Sequence, residues 1–309
     1  MKKFIYNIIV FTLPILFMGL SAEYLLRNIP NDYQMKKEFL DKHADCVEVL
    51  FLGSSHAFYG INPIYCSAKS FNASYSSQSI DYDYEVLKKY EKRMTNLKCI
   101  VIPISYFTLY CRLESALESW MVKNYVIYYG INTSEQWIYH SEVLSSKASV
   151  DLKRLFSYYV MGNSCVKCSP LGWGTNYKST EKQDLYQTGK TAAHRHSGNM
   201  GEYYRRNVNV LKAIIAIAKS KGAKVIFYTP PGFKSYTEQL DRFQLEQTIS
   251  TIKTLDDQYK HVDYYNLLTD STFVADDFYD ADHLNEIGAK KLTKLLDGII
   301  TKEIDHVIK

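Results

Sequence analysis

The stretch Glu48-Val49-Leu50-Phe51-Leu52-Gly53-Ser54-Ser55-His56 decides how the chain reads. Glu48–Leu52 is short and apolar, the pattern of a strand buried on both faces. Gly53 then lets the backbone turn sharply, and the following segment can begin as a helix whose exposed N–H groups favour an anion. A serine at such a turn is either a helix N-cap or a nucleophile, and the stretch alone leaves both open. Ser54 is the minor alternative to Ser55.

Outward from this strand the chain alternates. Further strands read at Ser70–Ser74, Lys98–Ser105, Lys224–Thr229 and Val262–Leu267. Helical spacing of apolar residues marks Asp81–Asn96, Glu202–Lys221, Thr237–Tyr259 and Asn285–Lys302. Strands alternating with helices predict a parallel sheet covered on both faces, with ligands outside the carboxyl ends of the strands. Residues from about 106 to 200 interrupt the alternation as an insertion. There Tyr106–Gly130 and Ser134–Met161 read as helical and aromatic, and Asn163–Gly201 as a long polar loop that is functional or disordered.

A second segment, Asp280-Ala281-Asp282-His283-Leu284-Asn285, precedes the last helix. A serine hydroxyl needs a histidine to take its proton, and the histidine needs an acid to fix its tautomer. Ser55, Asp280 and His283 supply these types in that chain order. The loop after the fifth strand can reach the sheet edge where Gly53–His56 lies. Asp282 is expected to point elsewhere if Asp280 orients His283, and Asn285 to cap the last helix. The carboxylates of the loop lack the spacing and glycine of an EF-hand.

The placement of the two segments resembles the SGNH (GDSL-type) hydrolases, with Ser54 where that family usually has Asp. The variant is similar to membrane-anchored relatives that modify envelope polymers. The resemblance implies a flavodoxin-like three-layer α/β sandwich with a five-stranded parallel sheet, Ser55 as nucleophile, His283 as base and Asp280 as its orienting acid. It also implies an acyl group, by preference acetyl, moved or removed on an envelope or exported polysaccharide, with a membrane-bound O-acyltransferase as donor partner. It calls for no cofactor and no metal. The family's oxyanion donors, a glycine after the second strand and an asparagine after the third, are missing. Ser74 can replace the first through its backbone N–H, and Ser105 or an unplaced residue the second, with Gly53 and the Ser55 backbone N–H as further candidate donors. That departure suits slow acyl transfer, or a non-catalytic glycan-binding or scaffold protein of the same fold.

Met1-Lys2-Lys3 precedes an uncharged stretch from Phe4 to Ala22, close to the ~20 residues that cross a bilayer as a helix. Read as an anchor, with lysines inside, it exports the rest of the chain. A cleaved signal is the competing reading, against which Gly19-Leu20-Ser21 makes a mediocre cutting site. The expected organisation is residues 1–22 as anchor or signal, 23–44 as a polar helical spacer, and 45–309 as the α/β domain. A formal charge of +4 is too small to point to nucleic acid. The six cysteines permit disulfides without fixing their pairing. Cys165-Val166-Lys167-Cys168 with His194 and His196 does not match zinc spacing, so a local disulfide or free thiols are expected. His56, His194, His196 and Arg205 are candidate substrate contacts. The 27 tyrosines read as compositional bias or as a sugar-stacking surface.

Overall fold

In the computed structural model, residues 1–197 and 201–308 are described. Five parallel strands, β1 (Val49–Phe51), β2 (Ser70–Asn72), β3 (Cys99–Pro103), β4 (Lys224–Thr229) and β5 (Val262–Asn266), form one sheet in the order β2-β1-β3-β4-β5. The strand order reverses between β1 and β3, and a ligand crevice is expected at the carboxyl edge there. β1, β3 and β4 are buried throughout, which explains their continuous apolar runs.

The chain divides into two compact units. One comprises Met1–Lys37 and Leu117–Lys167, the other Glu38–Ala116 and Cys168–Lys309.

The second unit holds the sheet. On one face Val49, Phe51, Val101, Ile226 and Tyr228 pack with Leu284, Leu292 and Leu296. Leu292 and Leu296 belong to the helix Glu286–Ile308. The helices Ile80–Tyr90 and Tyr204–Ser220 pack against each other. Tyr204–Ser220 buries Asn207, Leu211, Ile214, Ile215 and Ala218, a stripe at helical spacing. The expected polar loop is corrected in part: Leu185–His196 is a helix, with Asp184 accepting from the N–H groups of Tyr186 and Gln187 as its N-cap. Its buried face is Leu185, Gly189, Ala192 and Ala193, residues too small to give a clear apolar period. Gly189 is required there, because a Cβ would lie 2.6 Å from the Ser235 backbone.

The first unit begins with helix α1 (Lys2–Arg27), which runs past Ala22. Among the described residues it is the helix long and apolar enough to cross a membrane. In the same unit Tyr33 meets Tyr125 and Tyr129 edge to face. Tyr125–Tyr129 is a π-helical turn that Gly130 ends in the left-handed region. Glu142 is fully buried and pairs with Lys123 at 2.6 Å and Arg154 at 2.7 Å, while Tyr128 donates its hydroxyl to it. The cysteines are free thiols, Cys165 and Cys168 included, so the expected alternative of a local disulfide is not realised.

Removing one member of a buried charge group leaves the others uncompensated. Glu142→Ala is expected to cost about 3–5 kcal/mol, since Lys123 loses its anion inside the protein. Denaturant unfolding of wild type and variant measures it, and Glu142→Gln should fall between them.

Candidate active site

β1 ends one residue before Leu52, and the chain turns at Gly53 into the helix Ser55–Gly60. Gly53 has φ of +117°, a backbone conformation that L side chains rarely adopt. A Cβ there would also lie 2.5 Å from the Pro103 ring, at the end of β3. The Gly53 N–H donates to Asp83 at 2.7 Å. Asp83 is buried, which pushes its pKa up to about 7 against the hydrogen bonds from Gln78 and Gly53. From the second strand, Asn72 donates to the carbonyls of Ala57 and Ile61, both at 2.8 Å, and so locks the helix that begins at Ser55 to the sheet.

The Asp280–His283 segment is a tight loop. Tyr279 N–H donates to the His283 carbonyl at 2.9 Å, and Asn285 N–H to the Asp277 carbonyl at 3.0 Å. Asn285 caps the last helix as expected, accepting from the N–H groups of Ile287 and Gly288. Its amide also donates to the carbonyls of Asp276 and Phe278. Asp280 accepts from the backbone N–H groups of Asp282 and His283. The loop thus fixes its own carboxylate.

The two segments meet across the carboxyl edge of the sheet. Ser55 Oγ lies 2.8 Å from His283 Nε2. His283 Nδ1 lies 2.9 and 3.0 Å from the two Asp280 oxygens. With Nδ1–H donated to the carboxylate, Nε2 accepts the serine proton. Ser55 is half-buried. The arrangement is chemically competent for acyl transfer through a serine ester.

Asp282 departs from expectation, because it faces the site. Its Oδ1 is 3.5 Å from His283 Nδ1. Its Oδ2 is 3.7 Å from His56 Nε2 and 3.8 Å from both His196 Nε2 and Arg195. Burial disfavours the His283 cation, but the Asp280 and Asp282 carboxylates outweigh it and push its pKa up to about 9. Burial would raise Asp282 as well, yet His283 and His56 hold it well below the ordinary carboxylate range. Burial lowers His56 and takes His196 down to about 3, so both are neutral near pH 7.

Of the candidate contacts, His56 and His196 join the site. His56 is buried and its Nδ1 lies 2.6 Å from Ser105 Oγ. His194 and Arg205 are exposed, and no contact joins either to the triad among the described residues. The proposed oxyanion replacements are engaged elsewhere. Gly53 N–H goes to Asp83, Ser74 N–H to Asn72 at 3.1 Å, and Ser105 N–H to Thr108 at 2.9 Å. The first N–H groups of the nucleophile helix, those of Ser55 and His56, have no acceptor among the described residues.

A column of tyrosines borders the base. Tyr59 stacks on Tyr177 at 3.6 Å and Tyr177 on Tyr279 at 3.9 Å between ring centroids. Tyr177 meets His283 edge-on at 5.3 Å. Tyr279, adjacent to Asp280, carried a signal by position, whereas Tyr177 lies in a polar run that gave none.

No family model matches the chain, and no curated protein matches it. Several solved structures are similar in shape, three of which follow. A GDSL-like lipase of Bacteroides thetaiotaomicron is 11% identical with a TM-score of 0.43, covering 87% of this chain and 98% of its own. A protein assigned as an acylhydrolase, from Bacteroides fragilis, is 11% identical with a TM-score of 0.43, covering 87% and 96%. One from Streptococcus pneumonia assigned as a platelet activating factor is 12% identical with a TM-score of 0.44, covering 94% and 99%. The chain's own fold is α/β, with a five-stranded parallel sheet. The likenesses are distant, and the chemistry rests on where this chain's own strands place Ser55, Asp280 and His283.

A base is active only when unprotonated. Turnover of a soluble ester should therefore rise with pH through an inflection near 9, where the raised pKa of His283 places it. Asp282→Asn should move that inflection down, and Asp280→Asn should also cut the rate by about 10⁴-fold. A pH profile of kcat/KM reads both. By the same linkage, the His283 ion pair contributes stability that is full below its ordinary value of 6.5 and lost as pH rises through about 9.

The Gly53 turn yields a second expectation. Asp83→Asn keeps an acceptor for the Gly53 N–H and should retain activity. Asp83→Leu removes it and should lower kcat/KM by about 10²-fold through displacement of the nucleophile. Steady-state kinetics on the two purified variants tests the contrast.

Proposed function

We propose that the chain is a serine esterase or O-acyltransferase of the SGNH type. The observation that carries this reading is the unbroken hydrogen-bonded path from Ser55 through His283 to Asp280. Ser55 attacks the acyl carbonyl. His283 takes the serine proton and returns it to the leaving oxygen. Asp280 orients the ring and balances the imidazolium. The N–H groups of Ser55 and His56, at the start of the nucleophile helix, hold the oxyanion.

The proposed substrate is an acyl group, by preference acetyl, on an envelope or exported polysaccharide. The apolar helix α1 supports this as an anchor that keeps the catalytic unit outside the membrane, where such polymers lie. A membrane-bound O-acyltransferase is the proposed source of acyl groups. One observation favours a second reading, a glycan-binding or scaffold module. The N–H groups of Gly53, Ser74 and Ser105 are donated within the fold, which leaves fewer donors for an oxyanion.

A fluorophosphonate probe on the full-length chain separates the two. The enzyme reading expects labelling of wild type and Ser54→Ala and none of Ser55→Ala. Labelling that persists unchanged in Ser55→Ala overturns Ser55 as nucleophile, and no labelling of wild type at pH 9 favours the binding module. Mass comparison of envelope glycans from cells carrying wild type or Ser55→Ala then identifies acyl group and acceptor.

A further inference from the structure

In the first unit, helix Ala148–Leu155 and the π-helical turn Phe156–Val160 that continues it have inverted polarity. The inward side is polar. Asp151 is buried and accepts the Ser146 hydroxyl, and Arg154 reaches the buried Glu142 at 2.7 Å. The outward side is apolar. Leu152, Phe156 and Val160 are 66%, 57% and 68% exposed, spaced four residues apart. Tyr159 and Met161 are exposed beside them. A soluble helix does the reverse, and an exposed apolar stripe of this kind marks a contact surface.

What covers it follows from its neighbour. The helix packs against α1, and the Tyr159 hydroxyl donates to the Leu25 carbonyl at 2.9 Å. Glu23, just beyond the uncharged stretch of α1, accepts from the Ser141 hydroxyl and from the N–H groups of Glu142 and Val143. Arg27 donates to the His140 carbonyl. From Phe4 to Met18 α1 is exposed, and partial cover begins only at Gly19. The stripe therefore sits beside the end of the membrane-crossing segment. Lys147, the N-cap of this helix, and Lys153 within it are exposed, suited to lipid headgroups.

We propose that Ala148–Val160 lies in the interfacial layer of the bilayer next to the exit of α1, with Leu152, Phe156 and Val160 among the upper acyl chains. Apolar side chains, a flanking tyrosine and lysines are the composition of such interfacial helices. The proposal rests on the anchor reading of α1.

The test uses the full-length chain in vesicles of phosphatidylethanolamine and phosphatidylglycerol. The photoreactive residue p-benzoylphenylalanine is placed singly at Phe11, Phe156, Val160 or Phe243, and adducts are identified by peptide mass after irradiation. Phe243, exposed on the helix Arg242–Gln258 of the second unit, is the control for random collision. Unfolding curves matching wild type qualify each variant, and positions 156 and 160 serve as independent probes. Phospholipid adducts at 11, 156 and 160 but not at 243 are expected. Lipid adducts at 11 alone overturn the interfacial helix and leave the anchor intact. No lipid adduct at any position overturns both. Equal lipid labelling at 243, or protein adducts in place of lipid at 156, also overturns the proposal.

Discussion

The hydrogen bond from Gly53 N–H to Asp83 is the contact on which the site depends. It fixes a glycine in the left-handed region at the end of the central strand, with the Pro103 ring too close to admit a side chain. The strand can then hand over directly to a helix, and Ser55 stands at the mouth of that helix rather than inside the sheet. The acceptor is a carboxylate buried behind the turn, on the helix that follows β2. Backbone geometry beside Ser55 is thus held by a buried side chain 30 residues beyond Gly53.

Charge is the second constraint. Two carboxylates, three imidazoles and Arg195 crowd the edge of the sheet. Burial keeps His56 and His196 neutral, and the carboxylates concentrate the positive charge on His283. Asp280 is held by its own loop through two backbone N–H groups, while Asp282 is shared among side chains of three segments. The first is thus rigidly placed against His283 Nδ1, while the second adds negative charge among three imidazoles.

Where the sequence was legible, a regular burial pattern was the cause. The strands around Val49–Phe51 and Cys99–Pro103 are apolar because both faces are covered, and Tyr204–Ser220 shows its stripe plainly. The helix Leu185–His196 was hidden because its inner face is alanine and glycine packed against backbone, although Asp184 marked its start. With Asp280 as the orienting group, Asp282 is expected to point away, whereas the tight loop brings both carboxylates near His283 Nδ1. Tyr177 gave no signal, since its role comes from a stack with Tyr59 and Tyr279, far apart in the chain.

The Asn285 clamp has a consequence for biogenesis. It staples the base loop to the first turn of the last helix, so His283 is held only once that helix exists. Ser55 is made early, and His283, its hydrogen-bond partner, 228 residues later. A growing chain carries Ser55 without His283 for most of its synthesis. The path from Ser55 through His283 to Asp280 therefore closes only late in synthesis, after all five strands of the sheet have been made.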